Sequence, residues 1–395
     1  MDTQGHDRQR STRGGTTLPA LLALGTFLLT VAVIWFGLKV LSEEDGIANL
    51  AAGAYRTLGA TASADNVAEY GLTPLTDKIL LMTIALLIGV GAVWALFYTV
   101  NHLIDRLGPT FERLLRPWVF IMPAVALLAF YLLYPAVRTV IIAFTETGEA
   151  GPFGNFVEVF TNPDMLLALR NNAIWLVVGT TGAVVIGLVF AALVDRVKRE
   201  ALAKTFIFLP LAISMVGAAV IWGFVYEWKP AGETQIGLAN WVLTLFGQEP
   251  IAFFQTPPIN TIVLIVIMIW IQTGFAMVIL SAAIKGVPED ILEAARIDGA
   301  TELQSFFKVV VPSIRGSIIT VATTIFIAVL KVFDIVFVTT GGRFETDVIA
   351  NRMFMELIRF RNRGLASALA VVLLVAVIPV MVINVRNLRR QGVGA

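Results

Sequence analysis

The 395-residue chain has no cysteine and only two histidines. Disulfides, thiol nucleophiles and thiolate metal sites are therefore excluded. His6 and His102 lie beside separate apolar runs and read as solvated interfacial side chains. Charge is scarce as well: 14% of residues are Asp, Glu, Lys or Arg, where a soluble domain carries about 25%. A net charge of +1 leaves no electrostatic footprint for nucleic acid. No GxxxxGK[ST] string occurs, and the segments between apolar runs are too short to house a nucleotide-binding domain. The chain is thus not expected to be an enzyme, and any ATP and Mg chemistry would belong to another polypeptide.

What is abundant is apolar surface, at 57% of residues and a mean hydropathy of +0.82. Eight runs reach the roughly 20 residues a helix needs to cross a bilayer: Leu18–Leu41, Ile79–Val100, Trp118–Val137, Ala173–Val194, Phe206–Tyr226, Ile262–Ile284, Ile318–Val338 and Leu365–Asn384. Lipid satisfies no backbone polar group, so the expected fold is an all-α polytopic helix bundle. The first run exceeds the 7–15 residues usual for a signal core, and reads as an uncleaved span. Lys and Arg number 17 in the segments on the side of the N-terminus against 11 on the other. The positive-inside rule then puts both termini in the cytoplasm. Segment 339–364, with five arginines, runs against that rule. Within it, DVIANRMFMELIRF has helical apolar spacing, with Arg352 and Glu356 four apart. An interfacial or gate-side helix and a solvated surface helix both fit.

Between the sixth and seventh runs lies a polar island, residues 287–312. Pro288 presets φ at a first helical position, and Glu289 with Asp290 complements the helix dipole. Asp298 and Gly299 stop that helix, Gly299 in the left-handed conformation. Thr301 and Gln304 form a capping box opening a second helix, which Pro312 ends. Glu293 has a local partner in reach, Arg296, worth a few tenths of a kcal/mol. Phe306 and Phe307 either pack on the bundle or enter a partner's cleft.

Glu293, Ala294, Ala295 and Gly299, followed by Val309, Val311 and Pro312, resemble the EAA loop of the membrane subunits of binding-protein-dependent ABC importers. Val309 and Val311 replace the usual Ile and Leu. The string EAARIDGA resembles the maltose-transporter branch, and KVFDIV with TTGG and TDVIANRMF is most similar to its alpha-glucoside permeases. Pro123, Pro135, Asn172, Leu209, Pro210 and Trp270, eighteen residues before Pro288, extend the match through the last six runs. The resemblance implies the permease core of a type I importer over 118–386, with two accessory spans in 18–117 and short tails at 1–17 and 387–395. It implies that Glu293, Ala294, Ala295, Gly299, Phe306, Phe307 and Pro312 dock a cytoplasmic ATPase subunit, Glu293 as the charge and Gly299 as the bend. It also implies a second permease subunit, an external solute-binding protein, a di- or oligosaccharide substrate and a cytoplasmic (inner) membrane location. The maltose transporter's larger subunit carries a folded external domain after its third span. Here the segment from Thr145 through Thr161 to Arg170 and beyond is too short to bury a core.

Polar groups inside spans are costly and mark a water path or a helix contact. By the Trp270 to Pro288 spacing, Ile271, Gln272 and Phe275 fall on family positions that line the sugar pocket. An interhelical hydrogen bond from Gln272 fits equally well. Lys331 and Asp334, three apart on one helical side, either contact substrate or neutralise each other. The family's sugar contacts in that span fall on Ile325, Ala328, Val329 and Val332, all apolar here. An ion-coupled secondary transporter is the competing reading, with Asp334 the one carboxylate placed to couple.

Overall fold

The structure, a computed structural model, describes residues 129–147, 151–195 and 197–392, with isolated positions between 90 and 128. By compactness the chain divides after Tyr134. In the first unit Trp94 and Tyr98 stack at 5.6 Å, four residues apart on one helical face. The expected spans Leu18–Leu41 and Ile79–Val100 otherwise lie outside the described residues.

All regular structure among the described residues is helical. The second unit opens within α1 (Tyr134–Thr145), from Pro135 on, and continues with α2 (Gly154–Thr161). α3 (Pro163–Ile174) passes through a π turn, Trp175–Gly179, into α4 (Thr180–Val194). Together they form one 32-residue apolar helix, Pro163–Val194. It starts ten residues before the expected Ala173, because Asn162 caps the amide of Asp164 at 2.9 Å and Pro163 occupies the first turn. The third expected span also differs, since its apolar helix Ala129–Thr145 runs past Val137.

The fifth expected span, Phe206–Tyr226, is not one straight helix. α5 (Glu200–Phe208) tightens into a 3₁₀ turn over Leu209–Ala212, and α6 (Met215–Val225) leaves at 103°. Pro210 and the extended Ile213 and Ser214 interrupt the ladder, and Ser214 restarts it by accepting the Gly217 amide at 3.0 Å. α7 (Leu238–Leu245) precedes α8 (Ile259–Lys285).

α8 is the axis of the unit. Fifteen of its 27 residues are buried, as expected for a helix apolar all round. It packs against α4, α5 and α6, and small residues set how closely. A Cβ on Gly187 of α4 would strike the Ala276 methyl, and one on Gly274 would meet the Ile207 carbonyl oxygen at 2.6 Å.

Beyond α8 come α9 (Glu289–Ile297), α10 (Glu302–Ser305), a π turn over Phe306–Val310, and α11 (Val311–Ser313). The next apolar span, Arg315–Thr339, is broken. α12 (Arg315–Leu330) ends, Lys331 to Phe333 leave helical geometry, and α13 (Asp334–Thr339) begins anew. Asn172 donates from Nδ2 to the Leu330 carbonyl at 3.2 Å, satisfying an acceptor that the ended helix exposes. Lys331 and Asp334 therefore do not share a helical side, and no ion pair joins them among the described residues, which does not support the mutual neutralisation that was one of their two readings.

α14 (Ile349–Phe354), a π turn over Met355–Arg359 and α15 (Arg363–Gly392) complete the chain. α14 is no solvated surface helix: Ile349, Ala350 and Asn351 are buried. Ile349 joins Ala143, Val159, Met165, Ala168, Leu365, Ala368 and Leu369 in a second apolar cluster. The segment after Thr145, too short to bury a core of its own, contributes three of these. It does so because the cluster draws on α1, α2, α3, α14 and α15 together.

Three asparagines pin the segment between α13 and α14. Asn171 Nδ2 donates to the carbonyls of Glu345 and Asp347 at 2.7 and 2.8 Å, and Asn260 Nδ2 to that of Phe344 at 2.5 Å. Asn172 Oδ1 accepts the Ile349 amide at 2.8 Å. In the same segment Gly341, Gly342, Phe344 and Glu345 all have positive φ.

Candidate functional site

The polar island folds as the expected bent hairpin. At the end of α9, the Ala300 amide donates to Ala295 O and the Gly299 amide to Arg296 O, both at 3.0 Å, with Gly299 at φ +79°. That pair of bonds is a Schellman closure, which satisfies two of the helix's terminal carbonyls. The capping box is present too: Thr301 Oγ1 accepts from the Gln304 amide at 3.3 Å, and Gln304 Oε1 from the Thr301 amide at 3.0 Å.

Three details depart from expectation. Pro288 stands at the cap, one position before the helix. Pro312 does not end the second helix but sits within its last turn, in α11, after the π turn over Phe306–Val310 has shifted the hydrogen-bond register. Arg296 pairs with Glu302 across the bend at 4.0 Å instead of with Glu293. Glu293 is left exposed with no ion pair among the described residues.

The hairpin also exposes large apolar side chains: Ile297 is 85% accessible, Leu303 70% and Phe307 60%. Ala294 is exposed beside Glu293, while Ala295 is buried. The two phenylalanines part company, their rings edge-on at 5.2 Å. Phe307 faces out, and Phe306 lines a cleft of about 470 Å³ beneath the hairpin. Ala192, Asp195, Ile284, Arg296, Thr301 and Glu302 share that cleft.

One wall of the cleft meets a charge cluster that reading the sequence did not single out. Asp195 follows the last residue of α4, where a helix dipole disfavours a carboxylate. Lys204 offsets this, its Nζ 3.1 Å from Asp195 Oδ1 and 2.6 Å from Glu200 Oε1. Lys285 Nζ is 2.5 Å from Glu200 Oε1. Ser281 Oγ donates to Asp195 Oδ1 at 2.8 Å and accepts from Lys204 at 2.5 Å. The spacing of Glu200 and Lys204 was a legible signal; the meeting of Asp195 with Ser281 was not.

Of the expected substrate-lining residues, Ile271 and Gln272 are buried and Phe275 is half-buried on α8. Gln272 makes no hydrogen bond among the described residues, so the interhelical bond considered for it is absent there. Ile271 belongs to the main apolar core. Lys331 is exposed at the break after α12, and Asp334 opens α13. The structure does not gather these five into one cavity among those described.

A buried network marks the other side of the unit. Arg352 Nε lies 3.1 Å from Glu356 Oε1, and its amino nitrogens lie 3.4 Å from Asp164 Oδ2 and 3.9 Å from Asp347 Oδ2. Burial pushes the Glu356 carboxyl above its usual range, with Arg352 opposing. Burial likewise raises Asp347, against the Asn351 amide, the Val348 N–H and Arg352. The folded chain thus keeps protons that the unfolded chain releases. Stability from these groups is greatest below the ordinary glutamate value of 4.5 and declines as pH rises from there through the raised values. Glu356→Gln is expected to flatten that decline, read as Tm against pH for the detergent-solubilised protein. An unaltered slope would contradict the assignment.

Similarity to known proteins converges on this arrangement. The family model described as binding-protein-dependent transport system inner membrane component matches residues 183–392. An osmoprotective compounds uptake permease protein of Synechocystis is 49% identical over 275 residues, 69% of this chain and 99% of its own length. An alpha-glucoside transport system permease protein of Rhizobium meliloti is 41% identical over 334 residues, 80% of this chain and 99% of its own. A crystal structure of a bacterial alginate ABC transporter, in complex with an alginate pentasaccharide-bound periplasmic protein, contains a chain with TM-score 0.61 and 20% identity. The match covers 71% of this chain and 96% of that one, a likeness of fold.

Proposed function

This chain belongs to the family of inner membrane components of binding-protein-dependent transport systems, and from that premise we propose that it is the permease subunit of an ATP-driven importer of an alpha-glucoside. The sugar is a di- or oligosaccharide such as maltose or trehalose, or a glucosyl solute. The carrying observation is the rigidly capped hairpin over 287–312, which holds an unpaired Glu293 and three exposed apolar side chains outside any span. A partner with a basic residue and an apolar cleft fits that surface, and the absence of a P-loop from the sequence requires such a partner to hold ATP and Mg. The hairpin relays closure of the ATPase subunits into the bundle, which alternates between inward- and outward-facing states. A second permease subunit completes the path, an external binding protein delivers the solute, and both termini lie in the cytoplasm.

The similarity to the Synechocystis permease favours a second reading of the cargo, an osmoprotective compound. Uptake of labelled trehalose into proteoliposomes holding the whole complex tests both. Competition by maltose supports the alpha-glucoside, and competition by osmoprotectants alone supports the second reading. Accumulation driven by an ion gradient without ATP would overturn the importer.

A further inference from the structure

Asp195, which lines the cleft beneath the hairpin, carries an unmet acceptor. Asp195 Oδ1 is held by Lys204 and Ser281, but Oδ2 is buried with no hydrogen-bond donor among the described residues. A buried carboxylate oxygen left so is costly, and a donor that reached it would be held firmly. Arg296 lines the same cleft. Its partner, Glu302, is 4.0 Å away, and the two side chains are 63% and 66% exposed. Exposed pairs of that kind contribute about 0–1 kcal/mol, so Arg296 is cheaply released.

We propose that Asp195 and Arg296 are the two halves of a latch, which closes across this cleft when the hairpin is driven toward α4 and α8. Arg296 then exchanges Glu302 for Asp195 Oδ2, and the movement of the hairpin is passed to the ends of α4, α5 and α8 through the Lys204, Ser281 and Lys285 cluster. The arrangement has two discrete states, as coupling between a motor and a bundle requires. Asp195 and Arg296 are positioning residues, and neither touches the cargo. The proposal rests on hairpin docking of an ATPase.

Asp195→Asn keeps the shape of the side chain, and Glu200 still holds Lys204 and Lys285. In the reconstituted complex this variant is expected to retain the ATPase and hydrolyse ATP, while sugar moved per ATP falls about tenfold, within the usual range of coupling between sites. Arg296→Gln is expected to do the same, the double variant to be no worse than either, and Arg296→Lys to restore part of the ratio. A merely structural role would instead lower hydrolysis and transport together, or give additive losses, and either result overturns the latch. Because the chain lacks native cysteine, spin labels on Ala201→Cys and Lys308→Cys report the movement in the whole complex even where Asp195→Asn folds poorly. Their separation is expected to shorten in the ATP-trapped state and to shorten less with Arg296→Gln. An unchanged separation on a complex that holds its ATPase refutes the latch alone; failure of the wild type to hold an ATPase refutes the docking reading, and the latch with it.

Discussion

Gly299→Pro is expected to abolish ATP-driven uptake while the external binding protein still takes up its sugar. The glycine has φ +79°, and nothing lies within 4 Å of where a Cβ would stand, so the constraint is conformational and not one of space. Proline fixes φ near −65° and has no amide. It would break both the bend and the bond from the Gly299 N–H to Arg296 O. Alanine keeps the amide but meets the left-handed penalty of about 1–2 kcal/mol, and asparagine meets less. Uptake is therefore expected to fall in the order Asn, Ala, Pro. Glu293→Lys is expected to match the proline variant by reversing the exposed charge without touching the bend. Wild-type transport by either Gly299→Pro or Glu293→Lys would contradict the docking role.

The second large effect is expected at Gly274. A Cβ there would lie 2.6 Å from the Ile207 carbonyl oxygen and 2.7 Å from the Phe208 Cα. Both are backbone atoms, so no side chain can rotate away. α5 would have to leave α8 just where it enters the 3₁₀ turn at Leu209. Overpacking of this kind costs about 1–3 kcal/mol or more, and Gly274→Val has two further methyls to place. The variant is expected to melt several degrees lower in detergent. Gly223, which has nothing within 4 Å, serves as the control. Gly223→Val should leave the melting temperature nearly unchanged; equal losses at both positions would show that glycine content, and not the contact, matters.

How far the sequence alone reaches can be judged from the same residues. The hairpin was legible almost atom by atom, because Gly299, Thr301 and Gln304 act on neighbours within five positions, and local chemistry decides local structure. The long apolar helices were legible for the same reason. The broken spans were not. LKVFD contains no glycine or proline, yet the helix stops there, with Asn172, far away in sequence, taking the Leu330 carbonyl. Asn171 and Asn260 are equally silent, since their partners lie 174 and 84 residues away. Pro210 lay inside a run read as one span, and the 103° bend beside it was not foreseen. Substrate-lining positions transferred from family spacing fall on α8, where Ile271 and Gln272 are buried and Phe275 half-buried, and spacing along a helix says nothing of which neighbours cover each face.

The asparagine clamps on residues 344–349 grip peptide oxygens and an amide, never a side chain. A fastening of that sort is blind to the identity of the residues it fastens. Arg343, Phe344 and Glu345 can therefore be exchanged without loosening the ring of the loop, provided the strained torsions at 344 and 345 are tolerated. The exposed chemistry of this segment is thus free to change while the helices that anchor it stay as they are.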